Sequence, residues 1–134
     1  MGMYTQVELE VMLKRDTPQE IIHFIEVMTN GPWDLRDAVA QKKPDHKFFQ
    51  ADRWGNLFFG MYSGFERPTG SFIALDNDER LRLVIQAELK NYDAEVSRFL
   101  DWIKPYVEPQ EEPVGWHKYE EYEEPELIYF KDEQ

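Results

Sequence analysis

Few residues in this chain are of types that do chemistry, and their spacing is what limits them. There are three histidines and no cysteine, so thiolate catalysis, thiolate metal sites and disulfides are excluded together. His23 sits one residue from Phe24 in a helical pattern and reads as a helix-surface or boundary residue. His46 lies in Pro44-Asp45-His46-Lys47, where Asp45 could orient the imidazole, but no second ligand stands at i+4. His117 shares a strand-like segment with Trp116 and Tyr119 and could line an aromatic surface. Pro44-Asp45 taken with Glu88-Leu89-Lys90 has the residue types of a metal-dependent nuclease, in which two carboxylates hold Mg²⁺ and a lysine activates water. Glu88 and Lys90 read as the solvent face of a strand, and no basic groove accompanies them. A metal-dependent hydrolase is therefore the third reading, and no metal or cofactor is expected at His46, Asp45 or Glu88. No phosphate-cradling glycine loop, nucleophile elbow or zinc spacing is present.

Two segments point to recognition. Trp116-His117-Lys118-Tyr119-Glu120-Glu121-Tyr122-Glu123-Glu124 interleaves aromatic area with carboxylates, a pattern suited to a basic protein surface. Trp116, Tyr119, Glu120, Glu121, Tyr122, Glu123 and Glu124 are its candidate contact residues. Asp52-Arg53-Trp54, followed by Phe58 and Phe59, is the alternative surface, with His46 nearby in sequence; it would suit a small ligand or nucleotide. The plainer expectation for that stretch is that Trp54 fills the core and Arg53 makes a surface ion pair.

The elements that must position these residues follow from periodicity. Residues 5–13 alternate strictly, with Thr5, Val7, Leu9, Val11 and Leu13 on one face, as a half-buried strand does. Thr17-Pro18-Gln19-Glu20 announces a helix with a capping box, and Ile21, Phe24, Ile25 and Met28 give it an apolar stripe before Asn30-Gly31-Pro32 ends it. The same grammar returns in Leu81, Leu83, Ile85, Ala87 and Leu89, then in Val96, Phe99, Leu100 and Ile103 up to Pro105. Phe24 falls on Phe99, Glu20 on Glu95 and Glu26 on Asp101. Strands are expected at 55–62 and 71–75 in the first half and at 114–119 and 127–130 in the second, with Asp76-Asn77-Asp78-Glu79 as a turn. Gly60, Gly64 and Gly70 bracket a flexible hairpin loop. A short helix at Trp33–Ala40 opens the region 33–51, which is the least legible. The fold class expected is α+β: a duplicated β-α-β-β unit, about 4–76 and 80–131, forming a mainly antiparallel sheet with two helices on one face of a single domain, 1–134.

Charge narrows the partner. The net charge is −12, and from Glu108 onward ten acids face two lysines, so this stretch carries −8 of it. Direct binding to nucleic acid or an anionic membrane is disfavoured, because each requires cations. No apolar run reaches membrane-spanning length and no basic-then-apolar leader opens the chain, so a cytoplasmic setting is expected.

Met3-Tyr4-Thr5-Gln6, Leu89-Lys90-Asn91-Tyr92-Asp93, Phe99-Leu100-Asp101-Trp102-Ile103 and Tyr119-Glu120-Glu121-Tyr122-Glu123-Glu124-Pro125 together resemble small phage and prophage proteins of unknown function. The resemblance spans most of the chain and implies no catalytic residue. It implies a setting: a modulator or inhibitor in the host cytoplasm that binds a basic host protein, one that handles nucleic acid or serves defence. A non-enzymatic interaction protein is the leading reading, with a homodimer left open.

Overall fold

The computed structural model describes residues 4–59 and 65–131. At its centre lie the two segments with the cleanest alternation. Strand β1 (Thr5–Met12) pairs antiparallel with β3 (Leu81–Leu89) from Thr5↔Leu89 to Met12↔Arg82. This register puts Val7, Leu9 and Val11 beside Ala87, Ile85 and Leu83, so both apolar faces point the same way. Strand β2 (Phe72–Leu75) joins the outer edge of β3, β4 (Gly115–Tyr119) joins β1, and β5 (Glu126–Ile128) joins β4. The sheet order is β2-β3-β1-β4-β5, antiparallel throughout.

Among the described residues four helices supply the other layer: α1 (Gln19–Asn30), α2 (Trp33–Ala40), α3 (Asn56–Phe59) and α4 (Glu95–Ile103). Ile21, Phe24, Ile25 and Met28 of α1 and Val96, Phe99 and Ile103 of α4 join one core cluster with the inward face of β1 and β3. A 3-10 turn at Lys47–Gln50 contributes Phe48 and Phe49, both buried. Phe24, Phe48, Phe49, Trp54, Phe58, Phe99 and Trp102 form a continuous network of ring contacts at 4.8–6.3 Å between centroids. Each fully buried ring of this kind contributes about 1.5–3 kcal/mol over an exposed one. Among the described residues no helix is long and apolar enough to cross a membrane.

The α+β class and the antiparallel sheet agree with the sequence pattern; the repeated unit does not. Asn56–Phe59 is helical, with Phe58 and Phe59 N–H both donating to the Gly55 carbonyl, where a strand over 55–62 is expected. Residues 60–62 lie outside the described residues. Among the described residues the first half is therefore β-α-α-α-β and the second β-α-β-β, and the sheet has five strands rather than six. What the halves share is a crossover: β1 leads through helices to β2 beside β3, and β3 leads through α4 to β4 beside β1. The capping box also fails. Thr17 is buried and its hydroxyl donates to the Lys14 carbonyl (2.6 Å), so it caps the preceding turn and not α1.

The second sheet face is not simply solvent. Residues 65–70 cross it, with Thr69 and Gly70 N–H donating to Gln86 Oε1 (2.7 and 3.0 Å) and Gln86 Nε2 donating to the Arg67 carbonyl (3.1 Å). Phe65 meets Trp116 at 6.1 Å. Gln86 is buried beneath this strap, and Glu88 on the same face, expected to be solvated, is buried as well. The described part of the expected hairpin loop, residues 65–70, is thus held to the sheet by Gln86; Gly60 and Gly64 lie outside the described residues.

Candidate functional site

Strand alternation divides the acidic–aromatic run. Tyr119 opposes Thr5 and His117 opposes Val7, so both lie on the helix-bearing side of the sheet, whereas Trp116 opposes Glu8 and Leu127 on the other. Trp116 thus packs against Phe65 under the strap and is separated from the other candidates. Tyr119 and Tyr122 stay together: the Tyr122 N–H donates to the Tyr119 carbonyl (2.9 Å) in the β4–β5 turn, and the rings meet edge-on at 5.4 Å. With Tyr92, from the loop between β3 and α4, they line a recess of about 350 Å³ that also includes His117 and Glu126, whose Nε2 and Oε2 are 3.4 Å apart. Tyr92 and Tyr122 remain 59% and 54% exposed.

Glu121, Glu123 and Glu124 are exposed around the turn. Glu120 is also exposed but engaged, since its Oε2 accepts from the Tyr4 N–H (3.2 Å) and ties the turn to the start of β1. Local desolvation and then the neighbouring Glu121 carboxylate hold the Tyr119 phenol above its ordinary pKa, with Tyr92, Glu120 and Tyr122 adding to the effect. Tyr92 and Glu126 belong to this recess without having stood out in the sequence. Glu126 faces His117 through the strand register, which alternation counted back from Tyr119 would have found; nothing local marked Tyr92.

The alternative surface also divides. Asp52, Arg53 and Trp54 line a cleft of about 260 Å³ between α2 and α3, together with Trp33, Arg36 and Phe59. Trp54 is at once part of the core, stacked on Phe24 at 6.0 Å and edge-on to Phe49 at 5.0 Å. Arg53 makes no surface ion pair among the described residues; its guanidinium lies 5.4 Å from the centre of the Tyr92 ring. The strip is anchored by Glu95, fully buried, which accepts from the Arg53 N–H (3.0 Å) and the Asp93 N–H (2.9 Å). Trp33, Arg36, Asp37 and Ala40 sit at i, i+3, i+4 and i+7 on α2, a face that marks them in sequence once a wall is sought there.

His46 is elsewhere. Its Nδ1 accepts from the Phe48 N–H (3.0 Å) and its Nε2 donates to Asp101 Oδ2 (3.1 Å), so the ring fastens the 3-10 turn to α4. Asp45 is therefore on the helix side of the sheet, while Glu88 opposes Gln6 on the strap side. The sheet stands between the two carboxylates of the nuclease-like set, and Lys90 lies over the Tyr4 ring at 5.8 Å. Among the described residues no three of His, Asp and Glu converge on one point. Compared with known proteins, the chain matches no family model, no curated protein and no solved structure.

Proposed function

We propose that this chain is a non-enzymatic acidic interaction protein that acts in the cytoplasm and binds a basic protein surface through the β4–β5 turn. The observation that carries the reading is the recess of Tyr92, Tyr119 and Tyr122, lined also by Glu126, with Glu121, Glu123 and Glu124 exposed in the adjoining turn. Tyrosine rings attract a cation through their negative faces, by about 0.5–1 kcal/mol at an exposed site and more once water is excluded. The molecule already makes this contact on three tyrosines, one of them in the recess: Arg53 over Tyr92, Lys90 over Tyr4 and Lys131 over Tyr129. An arginine or lysine of a partner would enter the recess in the same manner, while the surrounding carboxylates steer its approach. In the phage setting that the sequence resembles, the partner is a host protein that handles nucleic acid or serves defence.

Surface-plasmon measurements with an immobilised arginine- and lysine-rich peptide test this. Tyr122→Ala is expected to speed dissociation by about fivefold or more, with little change in association, because it removes anchoring area and leaves the charge. A dissociation rate equal to that of the parent protein would remove the recess from the account.

A further inference from the structure

The cleft between α2 and α3 has a composition that partner binding at the β4–β5 turn does not use. We infer that it binds a small planar aromatic anion carrying a hydrogen-bond donor of its own, the chemistry shared by a purine nucleoside monophosphate and an aromatic amino acid.

Its walls are aromatic and differ in rigidity. Trp54 is held from behind by Phe24 and Phe49, so it offers a fixed surface. Trp33 is 74% exposed and touches Phe59 edge-on at 6.4 Å, which leaves most of the indole without cover. A planar ring entering the cleft would supply that cover and remove apolar area from water. At about 260 Å³ the cleft has room for one bicyclic ring with a short charged arm.

The charges are set for an oxyanion. The Arg36 guanidinium lies 5.2 Å from the centre of the Phe59 ring, and its only hydrogen bond among the described residues is a long one to the Thr29 carbonyl (3.4 Å). Its Nε is buried and has no hydrogen-bond partner there. Arg53 is the second guanidinium, and among the described residues neither is paired with a carboxylate. The guanidinium of Arg36 therefore keeps donors beyond its one long bond, and a carboxylate or phosphate accepts from such donors with the planar geometry that guanidinium favours. Asp37 and Asp52 line the same cleft and bring its formal charge to zero. They disfavour a bare multivalent anion and offer acceptors to an amino group on the ligand.

Isothermal titration calorimetry of the whole chain tests the assignment with two matched pairs of probes: adenosine 5′-monophosphate against adenosine, and L-tryptophan against tryptamine. At least one charged probe is expected to saturate with a dissociation constant below about 1 mM, its oxyanion-free partner binding roughly tenfold more weakly or worse. Which pair responds identifies the oxyanion as phosphate or carboxylate. Arg36→Gln, Arg53→Gln and Trp33→Ala should each weaken binding roughly tenfold, Trp33→Ala being an exposed change that spares the fold. Tyr122→Ala, at the turn, should leave it unchanged, which separates this site from the partner surface. No saturation by either charged probe at about 1 mM, or equal affinity for the oxyanion-free partner, would overturn the inference. Binding unaltered by both arginine changes would do the same.

Discussion

Glu95 shows what a single side chain contributes to both clefts. Fully buried, it spends its two carboxylate oxygens on the backbone N–H groups of Arg53 and Asp93. This pins the 52–55 strip to the start of α4, and so holds Arg53 over Tyr92. The aligned position in the first half, Glu20, is exposed, so the two acids do unlike work despite matching in sequence. Replacing Glu95 with Gln keeps its size but turns one acceptor into a donor facing an N–H. The expected cost is about 1–3 kcal/mol, read from the midpoint of a urea unfolding curve. An unchanged midpoint would mean that water or another group already serves these N–H donors. Tyr119 gives a second test at this scale. Its folded pKa is raised by desolvation first and the Glu121 carboxylate second, so the neutral phenol is favoured by folding. That stabilisation is complete below the ordinary tyrosine pKa and is lost as pH rises through the higher folded value. Ultraviolet titration of the phenolates should show Tyr119 ionising late, and Tyr119→Phe should delete the highest-pH part of the curve. Loss of the lowest part instead would show that the carboxylates do not reach this ring.

Among the elements, those whose partners lie on one face were legible in the sequence. β1 and β3 alternate because one side of each is buried throughout, and α1 and α4 carry stripes because each rests on that same layer. The stretch around α3 was not legible: Leu57, Phe58 and Phe59 form an apolar run too short for periodicity to separate a helical turn from a strand. The strap at 65–70 was hidden for a different reason, since Gln86 satisfies it from another element, 16 and 17 residues away. Within the candidate site, Tyr119 and Tyr122 adjoin in the structure. Trp116 was read with them from its proximity in sequence, although the period of two in β4 sends it to the other face. The β1–β4 pairing that carries this turn depends on Gly115. A Cβ there would strike the Glu8 carbonyl and Leu9 Cα of β1. Gly115→Ala should therefore cost about 1–3 kcal/mol or more, and should raise amide exchange in β4 and β5 ahead of β3. Uniform loss of protection across the sheet would mean that the pairing is not a separable unit.

At the scale of the whole molecule, the question is whether location or sum of charge governs binding. The chain carries −12 in all, and any protein so acidic attracts cations at low salt. The account requires more than this: the carboxylates at the β4–β5 turn must matter beyond their number, because they share the turn with Tyr122, and charges farther from a contact than a screening length of about 8 Å at physiological salt act on it little. Single exposed contacts of this kind contribute about 0.2–1 kcal/mol, so they must be changed together. The most direct measurement compares two variants of equal charge. One converts Glu120, Glu121, Glu123 and Glu124 to Gln at the turn. The other converts Asp16 and Asp34 to Asn and Glu20 and Glu26 to Gln, all exposed and on or beside the first two helices. Association rates with the arginine- and lysine-rich peptide are then recorded across a salt series. The account predicts that the turn variant associates roughly tenfold more slowly at low salt, with a flattened salt dependence, while the helix variant stays close to the parent. Equal losses in the two variants would contradict it, and would leave the turn as one part of a uniformly acidic surface.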